Sequence, residues 1–326
     1  MRSARKTTKS PARVTVWLGL ATLATGLACA PSRDVLGTVA AAGDGSVSGD
    51  TGGDGRLVGR PRFAPPTLVT ALSDAAADDE DPSFTGDLTE LYFSSTRSSA
   101  SSDIWVSHRA SRFDPWGSPT LVTELSSAGI DRSPSVSFDG YAIWFASDRE
   151  PFRGRFWRST RASLQAQWTT PVPVSELASP NFDSAPSVDT AQTTMFFASL
   201  RQQSATGTDI YSSTRATVAA PWSTPERVPG LDTLLEEADP FVAQGGLVVF
   251  FTLSRLGSPS APGQPGDLYM ASRRSTDAPF LTSLPLEEVN SPFVDADPAL
   301  SADLLYLMFA SNRSGNTEIY ESHALQ

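Results

Sequence analysis

The sequence predicts an all-β chain folded as a five-bladed β-propeller of four-stranded antiparallel blades. Three observations predict it. A frame of proline, phenylalanine and arginine recurs five times with unchanged spacing. Each copy carries short extended segments of four kinds, parted by turn residues. The fourth kind is missing after the last copy and stands instead ahead of the first. Self-similarity at about fifty residues marks a repeat architecture, and four strands per repeat fit a propeller blade.

The frame begins at Pro82, Pro134, Pro186, Pro240 and Pro298. Eleven residues later stand Phe93, Phe145, Phe197, Phe251 and Phe309, and four further Arg97, Arg149, Arg201, Arg255 and Arg313. Three residues before each proline sits an acid: Asp79, Asp131, Asp183, Glu237 and Asp295.

The first strand of each unit follows the proline, as in "PSVSF". The second is an apolar run, such as "AIWFAS" or "LVVFFT". It is apolar on both faces, as expected of a strand covered on both sides. The third holds an acid–aliphatic–aromatic triplet: Asp103-Ile104-Trp105, Asp209-Ile210-Tyr211, Asp267-Leu268-Tyr269 and Glu318-Ile319-Tyr320. The second copy departs from it with Arg155-Phe156-Trp157. The fourth segment opens on Phe63, Trp116, Trp168, Trp222 or Phe280 and reaches Leu72, Leu125, Leu177, Leu231 or Val289 nine residues on. Pro119, Pro171, Pro173 and Pro225 lie in this segment. Proline lacks the ladder N–H and is tolerated on an edge strand, so the fourth strand is outermost. Turns fall at Asp139-Gly140, Gly245-Gly246 and Gly315-Asn316.

Because the chain ends just after a third strand, Phe63–Leu72 is expected to supply the outer edge of the last blade. That closes the ring on its own beginning and leaves no open sheet edge. Two separate domains would leave such edges.

The unit resembles the TolB-type, WD-repeat-like propeller motif. "DRSPSVSFDGYAIWFASDR" (131–149) is the closest copy, and "DPALSADLLYLMFASNRSGNTEIY" (297–320) is nearly as close. The third and fourth copies replace the Asp-Gly turn with "DTAQ" and "AQGG". The resemblance runs from about Phe63 to His323. It implies a partner in the cell envelope: a protein, a peptidoglycan-associated molecule or a carbohydrate.

Ahead of the repeats the chain reads differently. Arg2, Arg5, Lys6, Lys9 and Arg13 precede the apolar run Val14–Ala28, which is too short to span a bilayer and fits a signal-peptide core. "Gly26-Leu27-Ala28-Cys29" then resembles a bacterial lipobox, with Gly26 where leucine is usual. The resemblance implies that Cys29, the only cysteine, becomes the lipidated first residue of the mature chain. More than one acyl chain makes such an anchor stable. Residues 1–28 are thus expected to be a lipoprotein signal peptide, 29–61 a Gly/Ala/Asp-rich flexible tether and 62–326 the propeller. The expected location is the bacterial envelope, on the outer membrane facing the periplasm or at the cell surface.

Loss of the leader's five cations takes the net charge from −11 to −16. Such an acidic surface argues against nucleic acid and against charge-driven binding to anionic lipid, leaving the lipid anchor as the membrane contact. No cysteine remains for a disulfide or thiolate metal site. Asp44, Asp50 and Asp54 match no EF-hand spacing, so no metal or cofactor is expected.

Strand alternation puts the five repeated acids and five arginines on one face. Catalysis needs different roles at different positions, whereas five near-identical groups suit scaffolding. The features that break the repeat point to function. Asp81, Asp239 and Asp297 are additional carboxylates on that face, in neighbouring blades of a five-membered ring. The longest loop, "LGSPSAPGQPG" (256–266), shares the face, and its Gln264 joins them as a candidate ligand contact. His108 and His323 sit at equivalent third-strand ends, outside any nucleophile or metal pattern, so no catalytic residue is assigned. The chain therefore reads as a non-catalytic binding or scaffold module. The alternative is a five-bladed glycosidase or carbohydrate-binding protein using carboxylates in the central funnel. A carboxylate pair in a deep, aromatic-lined pocket would favour that alternative, and a shallow polar face would disfavour it.

Overall fold

The computed structural model describes residues 59–98, 101–149, 155–201, 207–254 and 266–325. The leader, Cys29, most of the tether, Arg255 and Gln264 lie outside the described residues, as does the 256–266 loop apart from Gly266.

Twenty strands form five four-stranded sheets. β1 (Thr67–Leu68) comes first in the chain. Blade 1 holds β2 (Asp79–Phe84), β3 (Glu90–Ser95), β4 (Asp103–His108) and β5 (Thr120–Leu121). Blade 2 holds β6 (Asp131–Val136), β7 (Ala142–Ser147), β8 (Arg155–Thr160) and β9 (Val172–Pro173). Blade 3 holds β10 (Asp183–Val188), β11 (Thr194–Ser199), β12 (Asp209–Thr214) and β13 (Glu226–Arg227). Blade 4 holds β14 (Glu236–Ala243), β15 (Val248–Ser254), β16 (Asp267–Ser272) and β17 (Leu284–Pro285). Blade 5 holds β18 (Asp295–Leu300), β19 (Tyr306–Ser311) and β20 (Glu318–His323), with β1 as its edge.

The ring closes through its own beginning. Thr67 pairs with Glu321 and Leu68 with Tyr320, and Phe63 bridges to Ala324. Each outer strand is only two residues long. Proline at Pro173 and Pro285 sits within such edges, where its missing N–H breaks no ladder.

The second strands are buried along nearly their whole length, because each is covered by a blade on either side. The core is accordingly divided into five apolar layers between blades. Phe145 packs with Tyr92 and Trp168 between blades 1 and 2. The strand that closes the ring serves two layers. Phe63 lies between blades 4 and 5, and Leu72 between blades 5 and 1.

Every first strand carries a bulge beside its proline: between Glu80 and Ser83, Arg132 and Ser135, Ser184 and Ser187, Ala238 and Phe241, and Ala296 and Ala299. At each bulge the residue before the proline is left-handed. The φ values are +55° at Asp81, +52° at Ser133, +49° at Ala185, +48° at Asp239 and +55° at Asp297. Such backbone is uncommon for residues other than glycine. Its fivefold recurrence makes it a built part of the blade rather than a local accident. A bulge re-aims side chains, and these five positions all line the ring's axis.

A candidate acidic site at the mouth of the axis

Two charge systems occupy the face where the first strands begin. The repeated pairs come first. Arg97 binds Asp79 at 2.6 Å, Arg149 binds Asp131 at 2.7 Å and Arg201 binds Asp183 at 3.0 Å, and Arg313 binds Asp295. Each of these acids is fully buried. The serine that ends the second strand donates to the acid in blades 2 and 3, from Ser147 and Ser199. Each arginine also donates to a carbonyl in the preceding blade: Arg97 to Leu72, Arg149 to Leu125, Arg201 to Leu177 and Arg313 to Val289. The guanidinium lies over the second-strand phenylalanine as well, at 4.9 Å for Arg149 over Phe145. Each arginine thus ties two strands of its own blade to its neighbour. In blade 4, Glu237 accepts from the Thr233 hydroxyl and backbone.

The second system is the axial ring. Asp81, Asp239 and Asp297 line one cavity with Ser133 and Ala185, which hold the equivalent places in blades 2 and 3. The structure therefore brings three of the four candidate ligand residues to one place; Gln264 is the fourth. The cavity has about 350 Å³ of empty space and opens to solvent. Its other lining residues are Pro82, Pro134, Pro186, Pro240, Ser83, Ser135 and Ser187, with no cation and no aromatic ring among them.

These carboxylates are only partly satisfied. Asp81 accepts from the Ser94 hydroxyl at 2.8 Å and the Ser133 amide at 3.1 Å. Asp239 lies beside Thr252 and the Asp297 carboxyl, and the Asp297 amide donates to the Thr252 hydroxyl at 3.3 Å. Each keeps some surface in the channel yet is walled by protein on its other sides. Burial first, then the negative charge of Asp81, pushes Asp239 up to about 7. Burial, then Asp239 and Asp81, raises Asp297 well above the ordinary carboxylate range. At the rim, crowding by protein and the charges of Asp81, Asp78 and Asp239 lift Glu80 to about 7, against the pull of Arg132. Like charges held close cannot all ionise, so Asp239 and Asp297 titrate as a coupled pair. Among the described residues, no group of three or more His, Cys, Asp or Glu side chains is arranged to hold a metal ion.

Two systems escaped the sequence reading. Arg109, Arg161, Arg215 and Arg273 each follow a third strand and donate from Nε to a turn carbonyl, at 2.6 Å to Leu88, 2.7 Å to Gly140, 2.7 Å to Gln192 and 2.6 Å to Gly246. Each stacks on the aromatic seven residues later, 4.0 Å from Trp116, 4.6 Å from Trp168, 4.2 Å from Trp222 and 4.6 Å from Phe280. That spacing was in the sequence to be found; the last unit has Ala324 instead. The other system is a row of serine stitches. Ser83 accepts from the Val136 amide, Ser135 from Val188 and Ser187 from Val242, each joining one first strand to the next. Blades 4 and 5 carry Phe241 and Ala299 at that position, which have no hydroxyl to offer.

His108 and His323 are exposed at third-strand ends. His108 Nδ1 lies 3.8 Å from Glu90, and His323 packs 4.9 Å from the Tyr306 ring.

No family model matches the sequence, and no curated protein matches it. Solved structures do. The catalytic domain of a GH62 α-L-arabinofuranosidase from Coprinopsis cinerea is 12% identical with a TM-score of 0.57, covering 81% of this chain and 97% of that one. The α-L-arabinofuranosidase of Podospora anserina, in complex with cellotriose, is 12% identical with a TM-score of 0.56, covering 82% and 97%. A putative TolB from Agrobacterium tumefaciens is 16% identical with a TM-score of 0.45, covering 78% and 79%. At these identities the likeness is one of fold. Fold alone does not choose between catalysis and binding.

Proposed function

We propose that the chain is a lipid-anchored envelope propeller that works by binding, taking a cationic group of a protein or cell-wall partner into the acidic mouth of its axis. One observation carries the reading. Asp81, Asp239 and Asp297 are turned onto the axis by left-handed backbone, and among the described residues no lysine or arginine lines the cavity with them. A cation entering there offsets the burial and the like charges that favour the protonated forms of Asp239 and Asp297. The anchor at Cys29 and the envelope location extend this reading from the N-terminal sequence.

A second reading is glycoside hydrolysis. Asp239, raised to about 7, and Asp297, raised well above the ordinary carboxylate range, lie with Asp81 in one cavity, and carboxylates held in one cavity are what such hydrolysis uses. The walls weigh against it, since proline, serine and alanine give a sugar ring no aromatic face to stack on.

The full chain in nanodiscs of zwitterionic lipid, titrated with trilysine, separates the two. Binding is expected that weakens with salt and falls about tenfold or more in the Asp239→Asn/Asp297→Asn double variant. Release of reducing sugar from an arabinose- or xylose-containing polysaccharide, abolished by Asp81→Asn, would replace binding by hydrolysis.

A further inference from the structure

The other end of the same axis has the opposite chemistry. Past the prolines and the serine stitches the channel widens into a bowl of about 780 Å³, counted with the solvent at its open side. Its wall is uncharged: Phe84, Val136, Val188, Phe241, Leu300 and Phe138 give it apolar surface among neutral serine, threonine and glutamine side chains. No charged side chain lines it, in a protein whose net charge is −11.

Two further observations show that the bowl is built. First, Gly86, Phe138, Thr190, Gln244 and Ala302 occupy equivalent positions around its rim, and Phe138 is the one aromatic among them. Its ring lies against Gly86 so closely that a Cβ there would stand 2.3 Å from it, and the Gly86 amide donates to the Phe138 carbonyl at 2.9 Å. An aromatic that stays 46% exposed is thereby held across the opening by the blade next door. Second, the serine row gives way on one side to Phe241 and Ala299, so hydroxyls there are exchanged for apolar surface facing the cavity.

We infer that this bowl is a second binding site, distinct from the acidic mouth, for an uncharged small molecule bearing an aromatic ring or a short acyl chain. Enclosure by five strands leaves room for a small molecule and none for another chain's sheet edge. The absence of any counter-charge in the wall selects against ionised ligands, whose desolvation nothing there offsets. Hydroxyl and amide groups at Thr190 and Gln244 can hydrogen-bond a neutral polar end at the rim. The site stands whether or not the acidic mouth binds cations.

The test is photolabelling of the full chain in lipid nanodiscs with benzophenone, the labelled residues being read by mass spectrometry. Labelling is expected to saturate and to concentrate on residues 134–142, 241–245 and 299–302. The anion benzophenone-4-carboxylate is expected to label these peptides about tenfold less or weaker still. Ala302→Trp and Thr190→Trp, both at exposed rim positions, fill the opening from opposite sides and are expected to reduce labelling at least about tenfold. The inference is overturned if label scatters over the surface, if the anion labels equally, or if both tryptophan variants keep their fold by near-UV circular dichroism and label like the parent.

Discussion

Asp131 and Asp239 carry the same side chain on one face of the ring, yet their surroundings give them different work. Asp131 is fully buried and met by Arg149 at 2.7 Å and by Ser147 at 2.5 Å. Removing one partner leaves a buried charge uncompensated. Arg149→Met is therefore expected to lower stability by about 3 kcal/mol, read from urea unfolding of the full chain. Asp239 meets another carboxyl instead, and its pKa rises to about 7 from an ordinary value of 3.8. A group that holds its proton more tightly when folded contributes stability that is present at low pH and lost as pH rises through its folded pKa. The melting temperature should thus fall between about pH 4 and pH 7, and Asp239→Asn should flatten that fall. The same ionisation makes the mouth more attractive to a cation, so trilysine affinity should rise across the same interval.

At the scale of the element, the first strand is the part that most repays attention. Each pairs with its own second strand, bulges beside its proline, and in three of five cases accepts an amide of the next blade on a serine hydroxyl. Ser135→Ala leaves the Val188 amide without that partner. The expected cost is about 1–3 kcal/mol, seen as a lower urea midpoint with an unchanged slope. The hydroxyls are missing at Phe241 and Ala299, and the strands that lack them, β14 and β18, are those that carry Asp239 and Asp297. The unstitched strands thus carry two of the three axial charges at one end and the added apolar surface at the other, while β2 carries both Asp81 and a stitch.

Over the whole molecule, closure governs stability. The last blade takes its edge from Thr67–Leu68, so the first and final segments of the described chain hold each other. A Thr67→Cys/Glu321→Cys pair, placed at residues directly opposite in the ladder, would lock that clasp. With an unstrained bridge it should stabilise the protein by about 4 kcal/mol or more, since it closes a very long loop in the unfolded chain. Thermal unfolding with and without reductant measures it. An unchanged melting temperature would mean that unfolding begins elsewhere in the ring.

What the sequence by itself determined is the repeat. Five prolines, phenylalanines and arginines in fixed register demand five like units, and the misplaced fourth strand demands closure by the N-terminal segment. Both are legible because local spacing and strand count are properties of the chain in order. The sequence also singled out Asp81, Asp239 and Asp297 as breaks in the pattern. What only the tertiary structure decided is their chemistry. Left-handed backbone at the bulge brings residues from blades 1, 4 and 5 onto one axis, where burial and then the neighbouring carboxylates raise the pKa values of Asp239 and Asp297. The uncharged bowl at the other end was equally out of reach, because its wall comes from all five blades and no single stretch of sequence contains it. Spacing along a chain fixes which residues repeat; only closure of the ring fixes which of them meet.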